Sequence, residues 1–158
     1  MGQMVMNKAF SIFKSKRVLI TGHTGFKGSW LALWLTELGA QVAGFALPPK
    51  RQNDHFNLLD LSKKIQHIEG DIRDSEHLNS VVKDFKPDFI FHLAAQALVR
   101  ASYDDPKTTF DTNVLGSVNV LEASCQLASL TALVFITSDK CYFNKEWVWS
   151  YREDDQLG

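Results

Sequence analysis

Short apolar, β-branched runs alternate along this chain with longer segments in which apolar residues recur every three or four positions. That alternation predicts a parallel α/β sheet. Val18-Leu19-Ile20 reads as the first strand and Gln41-Val42-Ala43-Gly44-Phe45-Ala46 as the second. Between them Leu31, Trp34, Leu35 and Leu38 keep helical spacing, and Gly39 stands where a C-terminal cap belongs. Residues 65–68 predict a third strand, 75–84 a helix, and 88–92 a fourth strand introduced by Pro87. A long helix is expected over 106–128, with Pro106 suited to its first turn. Residues 132–136 make a fifth strand, and the tail beyond Ser138, rich in aromatic and charged residues without period, reads as loop. The expected fold is a Rossmann-like, doubly wound parallel sheet, N-terminal part only, in strand order 3-2-1-4-5.

Composition narrows the function classes. The 158 residues suffice for one substantial domain. The 17 basic and 18 acidic residues nearly cancel, so no global field favours nucleic acid or an anionic membrane. No apolar stretch approaches the roughly 20 residues that cross a bilayer, and the leading MGQMVMNKAFSIFKSK lacks the apolar core and cleavage site of a secretory signal. Cys125 and Cys141 show no metal-ligand spacing and no disulfide framework. The expectation is a cytoplasmic protein with no metal, no nucleic-acid partner and no membrane.

The chemistry starts at TGHTGFKG, Thr21 to Gly28, where three glycines follow the first strand at three-residue intervals. A strand feeding a helix through such a turn leaves main-chain N–H groups open at the positive end of the helix dipole, a site for a pyrophosphate. Gly22 allows the tight turn, Gly25 the approach of the phosphates and Gly28 the close packing of helix on strand. The ordinary alternative is a strand-to-helix turn that simply favours glycine. Three glycines at this spacing inside a βαβ unit favour a dinucleotide site.

The GxxGxxG spacing resembles the extended short-chain dehydrogenase/reductase superfamily, and further motifs follow in order. GDIRD at 70–74 resembles the segment whose Asp, here Asp71, contacts the adenine. HLAAQ at 92–96 looks like the fourth-strand motif lining the nicotinamide ribose, and TNVLGSVNVLEA at 112–123 like the long helix whose Asn, here Asn113, stabilises the sheet near the active site. Within the superfamily, GHTGFKGSWL, AAQALVR and especially TSDKCYFNKEWVW are similar to the CDP-glucose 4,6-dehydratases. The likeness runs from Arg17 to Gly158. It implies an NAD site formed by Gly22, Thr24, Gly25, Phe26, Gly28, Asp71, Ile72, Leu93, Ala94, Ala95, Gln96, Asn113 and Thr137, a CDP-glucose substrate, and a homodimer of the full-length protein through the long helix.

Ser138-Asp139-Lys140 begins where the fifth strand ends, and ligands of open α/β sheets bind outside the carboxyl ends of strands. By resemblance Ser138 hydrogen-bonds the sugar 4-oxygen and Asp139 is the acid that assists loss of the 6-hydroxyl. Lys140 stands where dTDP- and UDP-glucose dehydratases have a Glu base. A protonated lysine is a poor base, so it steadies the enolate or pairs with Asp139.

Each residue also has a plain structural reading. Asp71 could cap the following helix, Asp139-Lys140 could be a solvated turn, and His92 reads as packed or hydrogen-bonded. Trp30 and Trp34 read as core or helix surface, while Gln96 reads as a site residue because Ala94-Ala95 leave room beside it. Trp147 and Trp149 are substrate contacts, partner contacts or loop anchors.

Two departures bear on the chemistry. Where an acid often holds the adenine ribose of NAD, the chain reads Leu47-Pro48-Pro49-Lys50-Arg51. These residues lean toward NADP through a 2'-phosphate, whereas the resemblance implies NAD. NAD is the expectation, since a reaction that returns its hydride needs a retained oxidised cofactor; NADP stays open. No Tyr-x-x-x-Lys follows the fifth strand, where the superfamily has that pair: Glu146 follows Tyr142 by four residues, and Asp155 follows Tyr151. The sequence therefore reads as the N-terminal part of a larger enzyme, inactive alone. Its expected parts are an N-terminal extension over 1–16, a cofactor domain over 17–138 and an active-site loop over 139–158. Two other classes remain: a different nucleotide-sugar enzyme of the superfamily, such as an epimerase or reductase, and a non-catalytic dinucleotide-binding module.

Overall fold

A computed structural model describes residues 8–158, with the side chains of Lys8, Ala9 and Asp139 excepted. The first seven residues of the expected N-terminal extension therefore lie outside the described residues. The strands are β1 (Arg17–Thr21), β2 (Gln41–Ala46), β3 (Gln66–Glu69), β4 (Phe89–His92) and β5 (Ala132–Phe135). They form one sheet in the order β3-β2-β1-β4-β5, and every adjacent pair is parallel.

Period-two alternation within β1 divides the core into two layers. Val18 and Ile20 face one side, where they pack with Ala32 and Leu35 of α1 (Phe26–Glu37) and with Phe56 of the short helix α2 (His55–Leu58). Leu19 faces the other side, with Leu78 and Val82 of α3 (Ser75–Phe85) and Val120 of α6 (Gly116–Cys125). Both faces of the sheet are thus covered, which explains why its inner strands read as nearly unbroken apolar runs. A short 3-10 helix over Lys8–Phe13 joins the first layer, where Phe13 meets the ring of Phe89 and Phe10 that of Trp34.

Local chemistry sets the helix ends. Gly39 takes φ +82° beyond α1, a conformation glycine adopts without strain, and the Ala40 N–H donates to the Leu35 carbonyl at 3.0 Å. Asp74 caps α3 by accepting the His77 N–H at 3.0 Å, so the capping role open to Asp71 belongs to its neighbour.

The long helix expected over 106–128 is present as one helical run that ends at Cys125: α5 (Pro106–Phe110) passes through a π turn (Asp111–Leu115) into α6. The wider turn carries Asn113, whose side chain accepts the Gln96 N–H at 2.8 Å and donates to the Gln96 carbonyl at 2.9 Å. A further short helix, α4 (Val99–Asp104), precedes it. In the tail, a bridge joins Tyr142 to Leu157 and the Phe143 N–H donates to the Gln156 carbonyl at 2.8 Å, closing the loop on itself. Tyr142 stacks on Tyr151 at 5.0 Å, and Lys145 lies 4.3 Å from the ring centroid of Trp147.

Candidate functional site

The chain passes from β1 to β2 and β3 on one side of β1, then returns to place β4 on the other. The carboxyl ends of β1 and β4 therefore flank the switch point at which open α/β sheets hold ligands. The two ends meet closely there. A Cβ on Gly22, which has φ +79°, would lie 2.7 Å from the Ala94 nitrogen, so the tight approach of the first turn to the 93–96 segment requires glycine.

Gly25 is the N-cap of α1 and offers no side chain to its orphan N–H groups, and no acidic residue occupies the first turn. That exposed end fits an anion, with Gly25 bare and Phe26 exposed beside it. Gly28 serves packing: a Cβ there would lie 2.8 Å from the His23 Cα. Thr24 does not present its hydroxyl freely, because that group donates to the Leu47 carbonyl at 2.9 Å and ties the turn to the end of β2. Lys50 and Arg51 are both exposed beyond β2.

At the end of β3, Asp71 accepts the Arg73 main-chain N–H at 2.9 Å and the Arg73 guanidinium Nη2 at 2.6 Å. The arginine hydrogen bond holds its carboxyl below the usual range, so it stands as an ionised acceptor at the rim. The Ile72 side chain is buried in the second core layer, so its main chain is what it could turn to a ligand. Leu93 and Ala94 follow β4: the Leu93 N–H donates to the Thr21 carbonyl at 3.1 Å and the Ala94 N–H to the Thr21 hydroxyl at 3.3 Å. Ala95 is exposed beside them. The Gln96 amide, read from the sequence as a site residue, is hydrogen-bonded to its neighbours. It accepts from the Leu98 N–H at 2.7 Å and donates to Thr109 Oγ1 at 3.1 Å.

Thr137 and Ser138 emerge exposed from the end of β5. A 3-10 turn over Asp139–Cys141 follows, with the Lys140 N–H donating to the Ser138 hydroxyl at 3.3 Å. The structure thus brings the glycine turn, the 93–96 segment and the start of the Ser138-Asp139-Lys140 motif to one edge of the sheet; the Asp139 side chain lies outside the described residues. Among the described residues no cluster of three or more His, Cys, Asp and Glu is placed to hold a metal ion, and no helix is long and apolar enough to cross a membrane. Trp30 and Trp34 lie half-exposed on α1, Trp147 is held against Tyr151, and Trp149 is exposed.

Beneath this edge His92 is packed and hydrogen-bonded, as its place at the end of an apolar strand suggests, whereas sequence reasoning missed His23 and His67. His92 is buried, with Nδ1 2.7 Å from the Thr21 hydroxyl and Nε2 3.1 Å from that of Ser117. A neutral ring satisfies this chain: Thr21 accepts from Ala94 and donates to Nδ1, while Nε2–H donates to Ser117. His23 is fully buried against Phe56 and His67. Gly44 in the middle of β2 was the available signal, because a Cβ there would intrude on the His23 ring.

Burial pushes the pKa of both rings down to about 4, helped at His23 by the neighbouring His67. The unfolded chain titrates these rings near 6.5, so it takes up protons that the fold refuses between those values. Stability is therefore complete above pH 6.5 and falls as the pH drops toward 4, by roughly 2 kcal/mol for each ring after solvent screening. Thermal unfolding from pH 7.5 to 4.5 should show a falling midpoint, and replacement of His92 by Gln should flatten that fall. A midpoint constant across this range would contradict the assignment.

Comparison with known proteins agrees with this geometry. The family model of GDP-mannose 4,6 dehydratase matches residues 19–155. The CDP-glucose 4,6-dehydratase of Salmonella typhimurium is 51% identical over 148 residues, covering 94% of this chain and 41% of that relative. Among solved structures, an epimerase from Methanothermobacter thermautotrophicus superposes with a TM-score of 0.79 at 30% identity, covering 92% of this chain and 42% of that one. The UDP-glucose 4-epimerase of Thermus thermophilus in complex with NAD gives 0.74 at 31% identity, covering 90% and 44%. The chain thus spans less than half the length of each of these relatives. With its motifs at the switch point of a doubly wound sheet and the family model matched over most of its length, the chain belongs to the GDP-mannose 4,6 dehydratase family of extended short-chain dehydrogenase/reductases.

Proposed function

We propose that this chain forms the cofactor-binding part of an NAD-dependent CDP-glucose 4,6-dehydratase. The observation that carries the reading is the position of Ser138-Asp139-Lys140 at the carboxyl end of β5, in a chain 51% identical to a dehydratase of that specificity. A solved relative that holds NAD supports the choice of dinucleotide.

In this reading Gly22, Gly25 and Gly28 seat the pyrophosphate on the N-terminus of α1, and Asp71 accepts from the adenine amino group. The 93–96 segment and Thr137 border the nicotinamide ribose. Bound there, the nicotinamide would supply a reversible hydride acceptor, which takes a hydride from carbon 4 and returns it to carbon 6 after water is lost. The Ser138 hydroxyl orients the sugar 4-oxygen. Oxidation at carbon 4 acidifies the proton on carbon 5, and its removal lets the 6-hydroxyl depart once Asp139 has protonated it. Lys140 stands beside Asp139, where an ammonium group steadies the enolate or pairs with that carboxylate.

No Tyr-x-x-x-Lys follows β5 among these residues, so in this reading catalysis belongs to the full-length protein. Exposed Phe110, Val114, Val118 and Leu121 along the α5–α6 run support a homodimer of that protein. Incubating it with CDP-glucose should yield a CDP-4-keto-6-deoxy sugar. An epimerised or reduced product would instead establish the alternative within the superfamily, and binding of NAD without turnover of nucleotide sugars would make it a sensing module.

A further inference from the structure

His23 occupies the middle of the glycine turn, yet its side chain is turned away from any ligand. The fully buried ring lies against the main chain of Gly44 and meets Phe56 edge-on at 5.3 Å. Its Nε2 lies 2.7 Å from Nδ1 of His67 on β3, so the two imidazoles share one hydrogen whichever ring carries it. Phe56 packs on His67 as well, at 4.8 Å between centroids, and the outer Nε2 of His67 lies 3.6 Å from the Glu69 carboxylate. The turn is bound to β2 through the Gly22 N–H on the Phe45 carbonyl and the Thr24 hydroxyl on the Leu47 carbonyl, both at 2.9 Å. The histidine pair extends that attachment one strand further, across 44 positions of sequence.

Resting on the reading of this turn as a dinucleotide site, we propose that His67 is a positioning residue for cofactor binding. Its hydrogen bond to His23 fixes the glycine turn in the conformation that receives the pyrophosphate. Main-chain N–H groups bind an anion well only when already aimed, and a turn built on glycines loses the most conformational freedom when it is ordered. A restraint from outside the turn lowers that cost before the cofactor arrives. Anchoring His23 at its buried ring does this without placing a side chain in the path of the phosphates.

The test measures NAD binding by calorimetry, together with thermal unfolding, in the full-length protein. His67→Leu keeps apolar contact with Phe56 but has nothing to pair with His23; it should weaken NAD binding by about tenfold, the worth of one such hydrogen bond. His67→Asn returns a hydrogen-bonding group near the Nδ1 position and should bind within about threefold of the parent. Should the leucine variant fail to fold, His67→Phe takes its place, keeping a ring against Phe56 without Nδ1. Parent-like affinity in the leucine variant overturns the positioning role alone. An asparagine variant as weak as the leucine one assigns the effect to ring packing and overturns it equally. Failure of the parent to bind NAD overturns the dinucleotide reading, and this role with it.

Discussion

Replacing Asp139 by Asn in the full-length protein is expected to stop product formation while leaving cofactor binding and the first oxidation in place. The amide keeps the size and much of the hydrogen bonding of the carboxyl, but it has no proton to give to the departing 6-hydroxyl. Loss of a general acid costs on the order of 100- to 10,000-fold in the step it serves. Oxidation at carbon 4 does not use that proton. Addition of CDP-glucose should therefore raise the absorbance of reduced nicotinamide while the 4-keto-6-deoxy sugar stays nearly absent. If the variant forms product at close to the parent rate, Asp139 is a surface turn residue, and the dehydratase reading loses its main chemical support.

The glycine turn should respond differently at its second and third glycines. An added Cβ at exposed Gly25 would meet the Gly22 carbonyl oxygen at 3.3 Å and reach no other heavy atom within contact distance, so Gly25→Val should fold. Its branched side chain would stand over the uncapped end of α1 and deny the phosphates their N–H donors. Losing two charge-assisted hydrogen bonds, each worth about 1.5–3 kcal/mol, weakens binding at least about 100-fold. At Gly28 the added atom would strike the main chain of Gly22 and His23, which has no side-chain freedom with which to yield. Gly28→Ala should therefore lose stability by about 1–3 kcal/mol as well as cofactor. Calorimetry with NAD and denaturant unfolding separate the two effects. A Gly25→Val protein that retains NAD would remove the turn from the cofactor site.

The sequence by itself determined the order of the strands and which residue types stand at the carboxyl edge of the sheet. β2 falls on its expected residues, and Gly39 and Pro106 stand at the helix ends that their backbone chemistry suits. These features are local: they depend on period, on φ, or on a missing N–H. Glycines at three-residue intervals after a strand were legible for the same reason, since the demand for bare backbone is written in the residue type.

The tertiary structure decided what depends on partners distant in sequence. Periodicity continues through residues 106–128, but the π turn arises where Asn113 clasps Gln96, 17 residues away. The contacts of Gln96 with Leu98 and Thr109 were not legible because they form only when the chain folds. Nothing in the sequence assigned His23 a role; β3 sets His67 beside it and β2 leaves a glycine beneath it. A buried polar ring must find its partner wherever the sheet brings one within reach, and strand order and register, which the composition of a segment cannot express, decide which residue that is.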